Sequence, residues 1–518
     1  MQRTRLLCFR ARAAQQMALQ TGATVAMRGP QLARLLHVFP HGPANGDGPK
    51  TSAKPLIRIA RTRRMSIAQA IPDSGFFLVQ AARRSGERMS IDQGNTTRRG
   101  VLKGAAAALA LAGAARAALP AGAFAQGAGP EVKGAKLGFI ALTDAAPLFV
   151  AKEKGIFAKY GLPETEVLKQ ASWGTTRDNL VLGSEGNGID GAHILTPMPY
   201  LISAGKVTQN NVPVPMQILA RLNTNGQCIS VAKEYLDQKV GLDSKVFKAA
   251  IDRKKAAGKS VKAAMTFPGG THDLWIRYWL AAGGIDPDKD VETIVVPPPQ
   301  MVANMKVGTM DCFCVGEPWN AQLVQQGLGY SALTTGELWK DHPEKAFALR
   351  ASFVEKYPNA TRALTMAVLE AQQWCDKPEN KDEVAAIAAK RQWMNVPVAD
   401  VAGRIKGTID YGDGRVVENS PFVMKFWADN ASYPYKSHDL WFLTEDIRWG
   451  KFDPATDTKA LIDKVNREDL WREAAKALGV SAIPASTSRG KETMFDGKVF
   501  DPADPAAYLA SLGIKRIA

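Results

Sequence analysis

From residue 136 onward the chain alternates short apolar runs with amphipathic segments. The apolar stretch KLGFIAL predicts a strand over 136–142, followed by the turn TDAAP over 143–147. A helix is predicted over 148–154, closed by Gly155, and "GIFAKYGL" then leads to a second strand over 164–169. "ASWGTTRDNLVLGSEGNGIDGAHIL" reads as loop, helix and a strand over 188–195. Strand–helix–strand alternation implies a largely parallel sheet with helices on both faces. Two extended apolar runs, starting at Gln217 and Gln227, read as a crossover into a second lobe. That lobe would hold a strand over 259–265, a helix ending at Ala282 before Gly283-Gly284, and a strand over 293–297. Residues 301–324 give helix, turn, strand and return. Helical patterning then dominates over 351–375, 381–394 and 398–409, ahead of a polar, Trp-bearing tail. The expected organisation is a discontinuous first lobe, 134–228 with 325–518, and a second lobe, 229–324.

Charge changes the picture only once it is located. The 518 residues carry 66 basic and 50 acidic side chains, a formal net charge of +16. Residues 1–125 hold 19 of the basic and 4 of the acidic ones, which leaves 47 and 46 in the remainder. The basic character belongs to the leader, so nucleic acid is excluded as a partner. Within the leader, Thr97-Arg98-Arg99-Gly100-Val101-Leu102-Lys103 resembles a twin-arginine export motif. It precedes the Ala-rich run 104–115 and the small-x-small site Ala123-Phe124-Ala125, so a signal peptide is expected over 89–125. The run is too short to span a membrane. Residues 1–88 are Arg-rich and without core periodicity, and read as a misassigned translation start or a disordered leader. The expected location is the periplasm, with peripheral association at the inner membrane. Beyond the leader lie Cys228, Cys312, Cys314 and Cys375, too few for a disulfide framework in a chain of this length.

Two stretches suggest where chemistry sits. In "FPGGTHDLWIRYWL" (267–280), Gly270 or Thr271 can cap a helix, and Gly269-Gly270 lets backbone approach a ligand. The free N–H groups of a helix start carry about half a positive charge, which suits an anion. His272 and Asp273 are helix neighbours and diverge by about 100°, so they do not form a catalytic pair. "SWGTTRDNL" (172–180) has the same form, with Trp173 ahead of a turn that includes Thr175. Two helix starts, one per lobe, facing one cleft would make a small pocket of positive potential. Trp275 and Trp279 read as core. Glu317, before Pro318, can orient a neighbour or meet a hydrated cation. Cys312 and Cys314 share one strand face but lack the companion ligands a zinc site needs. No metal and no cofactor are expected.

These segments, together with "NGQCISVA", "PPPQMVANMKVGTMDCFCVGEPWN", "HPEKAFAL" and "FDPADPAAYLASLGIKR", resemble the nitrate/bicarbonate-binding proteins of ABC transporters over nearly all of 134–518. The resemblance implies a two-lobed α/β fold of the type II periplasmic binding class with additional C-terminal helices. It implies no enzyme, but a protein that hands a small inorganic anion, nitrate or nitrite, to a membrane permease and its ATPase. It also implies the pocket: Trp173 for stacking and N–H donation, Gln227 as amide donor, His272 as donor, Gly316 for close backbone approach, and Lys345 as charge partner. Thr175, Gly270, Thr271 and Glu317 would support it. In the resembled family bicarbonate binders carry an acid where Lys345 stands, so the lysine favours nitrate. One departure is Cys312-Phe313-Cys314, where the family has a single cysteine; a similar end occurs in pyrimidine-synthesising relatives of the same fold. Bicarbonate or another oxyanion, a nitrate-responsive sensor, and an enzyme of that kind are the alternatives.

Overall fold

The computed structural model describes residues 129–517. The leader motifs read above, over 1–125, lie outside them. Two five-stranded mixed sheets organise the chain. The first comprises β1 (Lys136–Phe139), β2 (Glu166–Lys169), β3 (Gly191–Leu195) and β4 (Met216–Thr224), joined late in the chain by β10 (Pro343–Arg350), in the order β2–β1–β3–β10–β4. The second comprises β5 (Gln227–Ala232), β6 (Lys262–Met265), β7 (Glu292–Val295), β8 (Cys312–Gly316) and β9 (Gly329–Thr334), in the order β7–β6–β8–β5–β9. In both, the strands connected by helices pair in parallel. The strands that cross between lobes pair antiparallel. The sheets are therefore mixed rather than largely parallel. A strand arriving from the other lobe enters from the opposite end, and periodicity does not report that.

The helices that matter for the site are α1 (Ala146–Glu153), α2 (Trp173–Leu182), α3 (Thr271–Ala282), α4 (Trp319–Gln325), α5 (Pro358–Asp376) and α6 (Lys436–Arg448). The predicted helix over 351–375 is broken at Pro358, which starts α5 after a short helix, Ala351–Lys356. Helix α3 ends where Gly283-Gly284 was expected to stop it.

The lobe boundaries need correction. Residue 325 does not return the chain to the first lobe, because β9 pairs with β5 in the second sheet. The return comes only with β10. The tail is not a polar appendage either: Trp441, Trp449 and Trp471 are buried. Trp441, Phe442, Met494, Phe500 and Tyr508 join the core of the second lobe, while Leu443 and Ile447 of the same α6 helix join that of the first. Residues 397–430 also bridge the lobes. Lys425 pairs by backbone with Thr224 of β4, and the Tyr411 carbonyl accepts the Ser331 N–H of β9 at 2.8 Å. The β4 edge is further covered by Ser432 and Arg467, whose backbones bond Arg221 and Ile218, so no open edge is left there.

Candidate functional site

The site lies where both crossovers meet. Gln227 opens β5 just after the first crossover, and Lys345 is the third residue of β10, just after the second. The other members stand at the carboxyl ends of strands, where open α/β sheets place ligands. Asp144 follows β1, Trp173 follows β2, His272 follows β6, and Gly316 ends β8.

Lys345 is the hub and is fully buried. Its Nζ lies 2.8 Å from Glu344 Oε1, 2.9 Å from Asp144 Oδ2 and 3.4 Å from His272 Nε2. The Trp173 ring centre is 6.0 Å away. The Gln227 amide donates to Asp144 Oδ2 at 3.2 Å, and its Oε1 lies 3.4 Å from His272 Nε2. Gly316 packs so closely that a Cβ there would come within 2.5 Å of Gln227 Oε1 and 3.3 Å of Asp144 Oδ2. Glu344 accepts from Thr271 Oγ1 and, at 2.7 Å, from Trp275 Nε1. His193 contacts the other Asp144 oxygen at 2.6 Å. The indole N–H of Trp173, at the first position of α2, is buried without a partner among the described residues.

The electrostatics follow from this geometry. Burial pushes the Asp144 carboxyl up, but the Lys345 charge and then His193 reverse that and hold it at about 2. Burial likewise opposes ionisation of Glu344, and Lys345 and His272 outweigh it, so its pKa is well below the usual carboxylate range. Burial lowers the Lys345 pKa, yet the two carboxylates more than restore it and leave it raised. Burial, seconded by Lys345, lowers His272, and burial lowers His193. The cluster is thus a protonated lysine between two carboxylates, with neutral imidazoles around it.

The expected residues divide cleanly. Trp173, Gln227, His272, Gly316 and Lys345 converge, and the helix starts of α2 and α3 bring Trp173 and His272 from different lobes. Thr271 does not cap α3: Gly270 occupies the N-cap, and the Thr271 hydroxyl instead reaches Glu344. A Cβ on Gly270 would lie 2.5 Å from Leu195 of the first lobe, so that glycine permits the lobes to approach. Thr175 serves the α2 cap, its backbone N–H donating to Ser172 Oγ at 3.1 Å and its hydroxyl engaging the same oxygen, so its hydrogen bonds go to the cap rather than to the cluster. Glu317 is committed to Arg404 at 2.7 Å and to the Ala321 N–H, which orients α4. Cys312 and Cys314 are core thiols of the second lobe. Among the described residues, no group of three or more His, Cys, Asp or Glu side chains is placed to hold a metal ion.

Asp144, Glu344, His193 and the indole of Trp275 were not anticipated. Signals existed for three of them. Asp144 is an acid in the turn after the first strand, Glu344 adjoins Lys345, and His193 interrupts an apolar strand. Trp275 gave none, because helical spacing alone reads as core.

Comparison with known proteins then decides the family. Residues 128–389 match the NMT1-like family model. The nitrate/nitrite binding protein NrtA of Synechococcus elongatus is 64% identical over 392 residues, 76% of this chain and 88% of that protein. This chain belongs to the NrtA/CmpA-type binding proteins. Within that group, the bicarbonate-binding protein CmpA of the same organism is 47% identical over 397 residues, 74% of this chain and 88% of that one. The crystal structure of the periplasmic nitrate-binding protein NrtA from Synechocystis is similar with a TM-score of 0.73 at 64% identity, over 75% of this chain and 100% of that one. An NrtA/CmpA-type chain has the two-lobed α/β fold of periplasmic binding proteins and is a binding component rather than an enzyme. The pyrimidine-synthase reading of Cys312 and Cys314 is thereby set aside.

Proposed function

We propose that this chain captures nitrate, or its close relative nitrite, between its lobes and hands it to a membrane permease driven by an ATPase. The observation that carries this reading is the buried Lys345 ammonium beside the unpartnered Trp173 indole N–H, in a chain 64% identical to a nitrate/nitrite binding protein. A buried N–H left unpaired costs about 1–3 kcal/mol, which an oxyanion oxygen would relieve. Lys345, His272 and Gln227 would supply the remaining donors, and Gly316 lets the anion approach backbone. A four-atom anion gains about 6 kcal/mol at the best efficiency of about 1.5 kcal/mol per heavy atom, or tens of micromolar. Tighter binding requires each oxygen to meet a charge-assisted bond in a site closed to water, which suits the complete burial of this cluster. Export through the twin-arginine leader would put the protein in the periplasm, at the face of its permease.

Titration calorimetry of the purified protein with nitrate, nitrite, bicarbonate with and without calcium, and a sulfonate tests the assignment. Nitrate should bind without added metal. A silent nitrate titration beside calcium-dependent bicarbonate binding would make this a bicarbonate carrier instead. Lys345→Glu should weaken nitrate at least 100-fold while circular dichroism stays native; unchanged affinity would remove Lys345 from the pocket.

A further inference from the structure

The buried charges around Lys345 do not balance. Its ammonium faces two carboxylates, Asp144 and Glu344, so with neutral imidazoles the cluster carries one net negative charge before any ligand arrives. A nitrate placed among them would raise this to two in a region every member of which is excluded from solvent. Uncompensated buried charge is costly, and proteins neutralise it instead. Resting on the anion-binding reading above, we infer that the anion is bound together with one proton, and that His272 carries it.

The geometry singles out His272. Its Nδ1 lies 2.6 Å from Thr266 Oγ1, an oxygen able to accept. Its Nε2 lies 3.3 Å from Glu344 Oε1 and 3.4 Å from Gln227 Oε1, both acceptors, and 3.4 Å from Lys345 Nζ. An imidazolium would therefore find an acceptor for both N–H groups, and the anion adds another beside Nε2. His193 is less suited, because a proton on its Nδ1 would have no acceptor among the described residues. His342 also meets two oxygens, Pro343 O and Thr335 Oγ1, but its contacts are with these, Trp275 and Glu344 rather than with the Lys345, Gln227 and Trp173 donors that would surround the anion. The carboxylates are poor carriers, since Asp144 and Glu344 are each held by Lys345 and further donors.

Charged and titratable groups surround His272 from several elements. From β10 it faces Glu344 and Lys345, from the loop after β1 it feels Asp144, and from β5 it faces Gln227. From β8 comes the Cys314 thiol, which interacts with Glu344 and Lys345 and which burial keeps protonated. On its own helix Asp273 is paired with Arg277 at 2.7 Å. Helix α6, packed on α3, brings Glu445, paired with Arg448 at 3.1 Å, and Asp446, which interacts with Lys451, Asp273 and Glu445.

The sign follows from linkage. Without anion, burial and Lys345 hold His272 below the usual value of 6.5, so it is neutral at pH 8. With an anion alongside, the charged form is favoured, so binding takes up a proton and affinity falls as pH rises. The test is calorimetric titration of nitrate at pH 8 in buffers of different ionisation enthalpy. The observed enthalpy should vary with a slope near one proton taken up per anion, and Kd should rise about tenfold per pH unit between about 7 and 9. His272→Gln, titrated at concentrations matched to its weaker binding, should lose the uptake. His342→Gln and Asp446→Asn, rival buried carriers, should keep it, and loss of uptake in either remains a refutation if His272→Gln binds too weakly to titrate. A buffer-independent enthalpy with flat affinity overturns the inference while leaving anion binding intact. Uptake retained in His272→Gln, or lost in either of the other variants, overturns the choice of His272. An absence of nitrate heat in every buffer defeats the binding assignment itself.

Discussion

Gly316 shows how little room the pocket allows at the level of one residue. Its backbone is not in the left-handed region, so alanine there meets no conformational strain; the constraint is steric. The added carbon would lie 2.5 Å from Gln227 Oε1, 3.2 Å from Leu142 Cδ2 and 3.3 Å from Asp144 Oδ2. Gln227 is the member able to yield, and in yielding it loses its place beside His272 and Asp144. Gly316→Ala should therefore weaken nitrate binding about tenfold, or about 1.4 kcal/mol. The melting temperature should shift by only a few degrees. A variant with wild-type affinity would show that Gln227 is not held by this contact. Lys345 illustrates the opposite case: a lysine that sequence statistics assign to the surface is fully buried because two carboxylates flank it.

Among the elements, α3 does the most positioning. Thr271 and Trp275 are one turn apart, and both donate to Glu344, so the helix face grips that carboxylate above and below. His272 is thereby presented to Lys345 on a fixed ring plane, with Thr266 holding its far nitrogen. Trp275 is also stacked on Trp441 at 5.0 Å between ring centres, which ties α3 to α6. Trp275→Phe keeps most of that packing and removes the N–H donated to a charged acceptor. A loss of about 1.5–3 kcal/mol in urea-unfolding free energy is expected. A change below about 0.5 kcal/mol would mean that Glu344 is satisfied without the indole. Asp273, which adjoins His272 in sequence, serves a different purpose. It accepts the Gly269 N–H at 2.8 Å and pairs with Arg277, and so holds the turn ahead of the helix.

At the scale of the whole molecule, the lobes are joined by more than the two crossovers. Arg404, in the bridging segment, pairs with Glu317 at the end of β8 and donates to Ser331 Oγ of β9 at 3.0 Å. Removing it leaves a buried carboxylate without its cation, which costs about 3–5 kcal/mol. Arg404→Met should be destabilised by that amount in chemical denaturation, and Arg404→Met/Glu317→Gln should recover most of it. With Glu317→Gln measured alone, a double-variant loss equal to the sum of the two single losses would show the pair is not coupled. The sequence alone determined the succession of strands and helices, because apolar periodicity and glycine stops act over a few residues. It also pointed to Trp173, Gln227, His272, Gly316 and Lys345 through local motifs and a family resemblance, and the fold brings these five together. Tertiary structure alone decided that β9 belongs to the second sheet and that the Trp-bearing tail completes both cores. It alone revealed Asp144, Glu344 and His193 around the lysine. Those facts depend on pairing and burial between segments far apart in the chain, and a charge becomes costly, or compensated, only after folding has removed the water around it.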